Sequence, residues 1–513
     1  MKNKPAVLPA AVSLCAFLFY ICWHSTFFNF DGVACAIAVE LGDLRHLTHG
    51  NHLAYGVLAL AWVRLWRLVG FAGPALLPLQ TLDSLLGALG AGLFCRFLMR
   101  RLDCAPRIAA AAAAGLALSF AWWLWSLEAQ VYMLGAVCLV LAADAAWARE
   151  PKPWRTGFFH ALAVLGHVGH VMFVFCAAYL LYRPGRARCL WLRYGAALAL
   201  TLLAAYAAAA LWCVQPRNLE DMRVWLLGSA ALPVDRSFTW YTGPTFWRNV
   251  VSWLLMTPRV FADPSGLAWP WAAPGWLLCA LPLAAAAAGL AGWTREAKAC
   301  LLWLAGYALL FHSWQPFTMV YRITDLLPLW SLVALCAGTV SWRPWALAGW
   351  VLAAGLYNGI FLILPQTDPV RNVEYQEALM IARDTPAQAW VVVRARAQVY
   401  VPYFAGRKPL NLRYFEGRPE ELARRLEALQ SLGMPVYITE ATLRESGWAD
   451  FFHGYDLQAA GAGPGEQLYF IGRKGNPSGS SQKKLNTAPA TRKGPKGSGS
   501  DMRSSPLKTR PTP

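Results

Sequence analysis

Acidic side chains are scarce in this chain. Asp and Glu number 28 among 513 residues, against 46 Lys and Arg, and charged residues of both signs make up only 14%. An ordinary soluble domain carries about a quarter charged residues, so a plain soluble surface is excluded. The twelve Cys show no metal-ligand spacing, and none lies beyond Cys336. Zinc modules and a disulfide framework therefore lack a basis, and the Cys read as small buried hydrophobes. A cleavable leader is not expected either. The apolar run after "MKNK" reaches about 20 residues, longer than a signal core, and no small-residue cleavage site precedes Asp31. No internal repeat and no matched pair of Gly/Pro-broken spans is visible, which argues against a transporter or flippase. Nothing points to a nucleic-acid fold.

What the chain has is apolar length. Hydrophobic residues make up 57%, with 26 Trp and a mean hydropathy of +0.36. Trp clusters such as "AWWLWS" (121–126) and "WPWAAPGW" (269–276) sit at the ends of apolar runs, where rings anchor at headgroup level. The expectation is a polytopic α-helical membrane protein with about nine to eleven spans.

Basic clusters set the topology. "RFLMRRLDCAPR" (96–107), "REPKPWR" (149–155), "YRPGRARCLWLR" (182–193), "TREAK" (294–298) and "WRP" (342–344) are all expected in the cytoplasm, with the N-terminus. Parity then requires an odd number of crossings between Asp31, outside, and Arg100, inside. Of the two apolar segments between them, 52–70 carries Arg64 and Arg67 and is expected to lie flat in the interface, while 74–97 crosses. The first external loop therefore holds two interfacial helices, near 32–46 and 52–70. Spans near 108–125 and 131–148 follow, joined outside by "WSLEAQVY". The run 157–182 has basic flanks at both ends and is expected as a short hairpin. Spans near 190–213, 268–292, 298–315, 323–341 and 344–365 complete a membrane module of residues 1–365, with a further interfacial helix in 214–264.

Composition changes at Gln366. "AWVVVRA", "KPLNLRY", "PVYITEA" and "QLYFIGR" read as strands, and "RPEELARRLEALQSLG" as a helix with a Gly stop. Residues 366–474 are thus expected to form a small extracytoplasmic α/β domain. Residues 475–513 form a basic, Ser-, Gly- and Pro-rich tail expected to be disordered and to favour anionic surfaces such as membrane lipids.

Polar groups at the ends of spans carry the chemistry. Asp31 opens the first loop, Glu128 lies in the second, and His167 and His170 stand in "LGHVGHVMF". Charges so placed are costly unless they line a cavity or pair. The bland alternatives are an N-cap for Asp31, a solvated loop for Glu128 and backbone-bonded core residues for the His.

The order of these features resembles the GT-C superfamily of integral-membrane glycosyltransferases, and within it the bacterial branch similar to protein O-mannosyltransferases, over about residues 6–365. The resemblance places Asp31 as the first-loop acid. "HGNHLAYGVLALAWVRLW" is similar to a family segment with one His, matched by His49 or His52, although the family's prolines are absent. "WSLEAQVYML" resembles a Trp-Ser…Glu-Val-Tyr-Ala-Leu pattern in which Gln130 stands in place of Glu, Glu128 is the nearest acid and Tyr132 matches the Tyr. "LAVLGHVGHVMFVF" selects His170 over His167. "QPFTMVYRITDLLPLW" would present Tyr321 and Arg322 to the cavity.

The resemblance implies transfer of a sugar from a polyprenyl-phosphate donor to an acceptor hydroxyl on a protein, glycan or lipid, at the outer face of a bacterial inner membrane. Asp31 would act as base, and Arg322, with His170 second to it, would hold the lipid phosphate. A divalent metal such as Mg or Mn stays open. The alternatives are a transporter or flippase of a lipid-linked or anionic substrate and a non-catalytic anchor for the C-terminal domain.

Overall fold

The computed structural model describes residues 7–227, 243–339, 344–394, 396–445, 447–463 and 466–474. The expectation for 475–513 falls outside them. Helices dominate residues 7–367, and a mixed five-stranded sheet follows.

Among the described residues, five helices are long and apolar enough to cross a membrane: Leu76–Arg101, Ala187–Val214, Trp269–Ala291, Met319–Gly338 and Pro344–Thr367. A sixth forms if Pro106–Leu118 and Phe120–Leu127, bent by 60°, count as one. The other expected spans correspond to shorter helices, among them Val7–Ile21, Tyr132–Ala146 and Val168–Leu181. Much of this set packs inside the bundle, with its apolar side chains against neighbouring helices rather than lipid. The bend at Ser119 has a local cause. The N–H groups of Phe120 and Ala121 donate to Phe261 O and Val260 O, both at 3.0 Å, so the helical ladder is diverted onto another segment.

Arg100, Arg101, Arg149, Arg183 and Arg295 meet at one end of the bundle. That convergence resolves the 157–182 run. Helix Pro153–Gly166 leaves the basic end, the chain turns at His167, and Val174–Leu181 returns to Arg183 at the same end. The segment is a hairpin whose tip faces the opposite end.

The first loop folds as two helices, Phe30–Leu41 and Leu53–Leu68, joined through the short Leu44–Leu47. Leu53–Leu68 packs on the N-terminal part of Leu76–Arg101. Tyr55 Oη donates to Asp83 Oδ2 at 2.5 Å and Trp62 Nε1 donates to Pro78 O at 2.9 Å, so both reach the first two turns of that helix. In 214–264 the described elements include Leu219–Leu227 and the amphipathic Gly243–Arg259, which turns Trp247, Val251 and Leu254 outward.

In the C-terminal domain, β1 (Trp390–Val393), β2 (Lys408–Asn411), β3 (Val436–Thr439), β4 (Tyr455–Gly463) and β5 (Glu466–Lys474) form a sheet of order β2-β1-β3-β5-β4. β1 pairs in parallel with β2 and β3, while β5 pairs antiparallel to β3 and β4. β1 reads "WVVV" because a central parallel strand is covered on both faces. Helix Pro419–Ser431 stops before Gly433, whose φ of 70° suits glycine. β4 was not among the expected strands; its "YDLQAAGAG" has an exposed, Gly-broken pattern and pairs only at the sheet edge.

This domain packs on the entry to the first loop. Thr26 N–H donates to Gln366 O at 2.8 Å, Asn372 Nδ2 donates to Thr26 O and Phe27 O at 2.9 and 2.6 Å, and Tyr400 Oη donates to Phe28 O. Phe28 holds a φ of 47°, strained for a bulky residue, with its ring against Tyr375 and Phe404.

Candidate active site

At the end opposite the arginines lies a cavity of about 470 Å³. Helix Phe30–Leu41, the 43–56 segment, Tyr132, the hairpin tip at His167, and Trp314, Gln315 and Tyr321 enclose it. Asp31 stands in the first turn of Phe30–Leu41, where a carboxylate suits the positive helix end. It does not cap that helix: Asn29 Oδ1 accepts from Asp31 N at 3.0 Å and fills the role.

Among the described residues, the Asp31 carboxylate has no hydrogen-bond donor and no ion-pair partner. The other cavity acid, Asp43, is engaged. Its Oδ2 meets His46 Nδ1 at 2.5 Å and its Oδ1 caps Leu44–Leu47, and the His46 contact holds its carboxyl below the usual range. Asp31 has an accessible surface, yet cavity walls surround it on most sides. That enclosure pushes its carboxyl above the usual range.

Glu128 and Gln130 lie outside the cavity and act one step behind it. Glu128 Oε2 accepts from Asn29 N at 2.9 Å, and Gln130 Nε2 donates to Asn29 Oδ1 at 2.5 Å. Both therefore grip the capping residue that starts the Asp31 helix. Burial raises the Glu128 carboxyl to about 7. Gly32 lets the two loops touch, since a Cβ there would lie 2.3 Å from Ala129 O. Sequence reasoning missed Asp83, which is fully buried in Leu76–Arg101 and accepts from Tyr55 Oη at 2.5 Å and Gln130 N at 2.9 Å. An acid inside the apolar run "LPLQTLDSLLG" was the available signal.

His49 and His52 both line the cavity, their rings stacked at 4.6 Å. Burial, with His49 and His167 nearby, pushes His52 down to about 3, so it is neutral near pH 7. Of the hairpin pair, His167 reaches the cavity, stacked on Trp314 at 5.7 Å and 5.0 Å from the Tyr132 ring. His170 turns inward, its Nδ1 2.8 Å from Tyr307 Oη. The two His stand three residues apart around a tight turn, so only one can face the opening. Asp43, His46, Asn51, Trp314 and Gln315 also line it.

Tyr321 lines the cavity, stacked on Phe311 at 5.3 Å, but Arg322 does not. Its side chain is 1% exposed. Nε pairs with Asp325, Nη1 and Nη2 donate to Trp253 O and Thr257 Oγ1 at 2.9 and 2.8 Å, and the guanidinium stacks over Trp253. A second groove of about 600 Å³ adjoins the cavity across Phe30–Leu41, sharing Leu41, and carries Arg64, Arg67, Glu40 and Tyr403. Among the described residues no cluster of three or more His, Cys, Asp and Glu side chains is arranged to hold a metal ion.

No protein-family model matches this sequence, and no curated protein is similar to it by sequence. Solved structures do match. ArnT from Cupriavidus metallidurans bound to undecaprenyl phosphate superposes with a TM-score of 0.63 at 13% identity, covering 90% of this chain and 97% of that one. Its apo state gives 0.59 at 13% identity with the same coverage. The chain has the GT-C fold. At such identity the likeness concerns architecture alone. The long apolar helices and this architecture make it a multi-pass membrane protein, with its cavity beside the first-loop helices.

Proposed function

We propose that this chain is a membrane glycosyltransferase that moves a sugar from a polyprenyl-phosphate donor to an acceptor hydroxyl, with Asp31 as base. The observation that carries the proposal is an unpaired carboxylate in a walled cavity of a GT-C fold, at the end of the bundle where the first-loop helices lie. A protein of the same fold has been solved with undecaprenyl phosphate, which makes polyprenyl phosphates the donor class to test. The O-mannosyltransferase-like branch, a bacterial inner membrane and an outward-facing cavity belong to the same proposal. The basic end then faces the cytoplasm.

In the reaction, the acceptor oxygen attacks the anomeric carbon as the bond from that carbon to the phosphate oxygen breaks. The acceptor proton passes to Asp31, and polyprenyl phosphate leaves with the bond electrons. Tyr132, His167, Tyr321 and the stacked His49 and His52 offer aromatic and hydrogen-bonding groups to the sugar. Arg322 is fully engaged, so the phosphate falls instead to the neighbouring groove. Arg64, exposed and without an ion pair among the described residues, suits it, with Arg67 beside it.

The test is release of sugar from a panel of polyprenyl-phosphate sugars by the purified protein. Wild type is expected to transfer, and Asp31→Asn to lose about 10²-fold or more with unchanged melting. Full activity in Asp31→Asn would remove the base assignment. Intact donors throughout would remove the transferase reading.

A further inference from the structure

The basic end holds a feature unconnected with Asp31. A cavity of about 350 Å³ is lined by Arg100, Arg101, Arg149, Arg183 and Arg295, against two acids, Asp103 and Glu296. The arginines come from four separate segments. Arg101 is neutralised by Asp144, with Nε and Nη2 both at 3.0 Å from its carboxylate. Arg100, Arg149, Arg183 and Arg295 form no ion pair among the described residues. Topology alone accounts for arginines at this end, but not for their convergence on one pocket.

Two details indicate that the pocket awaits an anion. Arg183 Nη1 and Arg295 Nη2 donate to the same carbonyl, Leu180 O, at 2.9 and 2.7 Å. Two like charges are thus held side by side, and burial together with Arg295 pulls the Arg183 guanidinium below its usual range. In the same wall, Trp147 is 8% exposed and its Nε1–H is buried without an acceptor. An unmet buried donor costs about 1–3 kcal/mol.

We propose that this pocket binds the phosphate of an anionic phospholipid headgroup. Guanidinium forks match phosphate oxygens, and a further oxygen would satisfy Trp147. The pocket lies at helix ends, where headgroups lie, and exposed Tyr182, Trp191 and Trp293 mark the same level. Its volume falls within the ordinary small-ligand range of about 300–1,000 Å³. Free phosphate shares this chemistry, and the experiment separates the two sources.

The full chain, purified in zwitterionic detergent, is melted with phosphatidylglycerol, phosphatidylcholine or inorganic phosphate. Phosphatidylglycerol is expected to raise Tm and phosphatidylcholine to leave it unchanged. The double variant Arg100→Gln/Arg149→Gln is expected to weaken the phosphatidylglycerol effect about tenfold, and Arg45→Gln, at the cavity end, to keep it. Both substituted arginines are exposed, so packing is spared. Lipid retained through purification, counted by native mass spectrometry, gives a second readout: phosphatidylglycerol enriched on wild type and lost from the double variant. Equal shifts with both lipids, or full retention by the double variant, would overturn the proposal. An equal shift with inorganic phosphate would overturn the lipid source in favour of a soluble anion.

Discussion

Asp31 differs from Asp43 in what it lacks. Asp43 is satisfied by His46 and a helix cap, whereas Asp31 keeps its lone pairs for whatever enters the cavity. Because burial raises the Asp31 carboxyl, its basic form appears only as pH climbs above the usual value near about 4. The expected kcat/KM profile therefore falls on acidification with a midpoint above that value. No limb from His52 is expected between pH 5 and 8, since it is already neutral there. A second prediction separates the hairpin His. His167→Ala is expected to lower transfer with little change in Tm. His170→Ala removes the His170 partner of Tyr307 Oη in the core and is expected to cost about 1–3 kcal/mol of stability. Arg64→Gln is expected to raise the donor KM several-fold and spare kcat. The lip position of Asp31 was legible in the sequence because a lone acid after an apolar run is rare. The choice between His167 and His170 was not, because which one faces outward depends on a 3-10 turn that periodicity does not reveal. Arg322 misled for a related reason: its partners Trp253 and Thr257 lie in a helix about seventy residues away in sequence.

Among elements, the helix Phe30–Leu41 is the one to perturb. Its start is fixed by Asn29, which Glu128 and Gln130 hold from the second loop, and by Gly32 against Ala129. Gly32→Ala forces a Cβ into backbone and is expected to cost about 1–3 kcal/mol and most of the activity. Glu128→Gln keeps an acceptor for Asn29 N–H. Glu128 has a raised folded value, about 7, against an unfolded value near about 4.3. Wild type therefore loses stability as pH rises from about 4 to 7, where the folded state holds the extra proton and must release it. Glu128→Gln is expected to remove that slope, with Tm measured across the range. Elements with strong patterns, such as Leu76–Arg101 and β1, were readable from hydropathy and from a run of β-branched residues. β4 and Val373–Asp384 were not, because an edge strand of Gly and Ala and a short half-buried helix carry little periodic signal.

At the scale of the whole molecule, the arginine end and the Asp31 end lie at opposite ends of the bundle. Accessible reporters at Arg155 and Gly42 are expected to label from opposite faces of sealed membranes. Labelling from one face would overturn the topology. The sheet domain reaches the cavity indirectly, through Tyr400 on Phe28 and Asn372 on Thr26 and Phe27. Tyr400→Phe is expected to lower kcat several-fold while donor KM and Tm change little.

Those bonds join residues 26–28 to residues 366–400, some 340 positions apart or more. Domains form in the order of synthesis, N-terminal parts first, so the first loop is made early and waits for its last supports. The membrane helices are complete before Tyr400 leaves the ribosome, yet the strained turn at Phe28 lacks the Tyr400 hydrogen bond until then. Nascent chains arrested before residue 400 are thus expected to be inserted but idle, with competence arriving late, with the sheet domain rather than with the bundle.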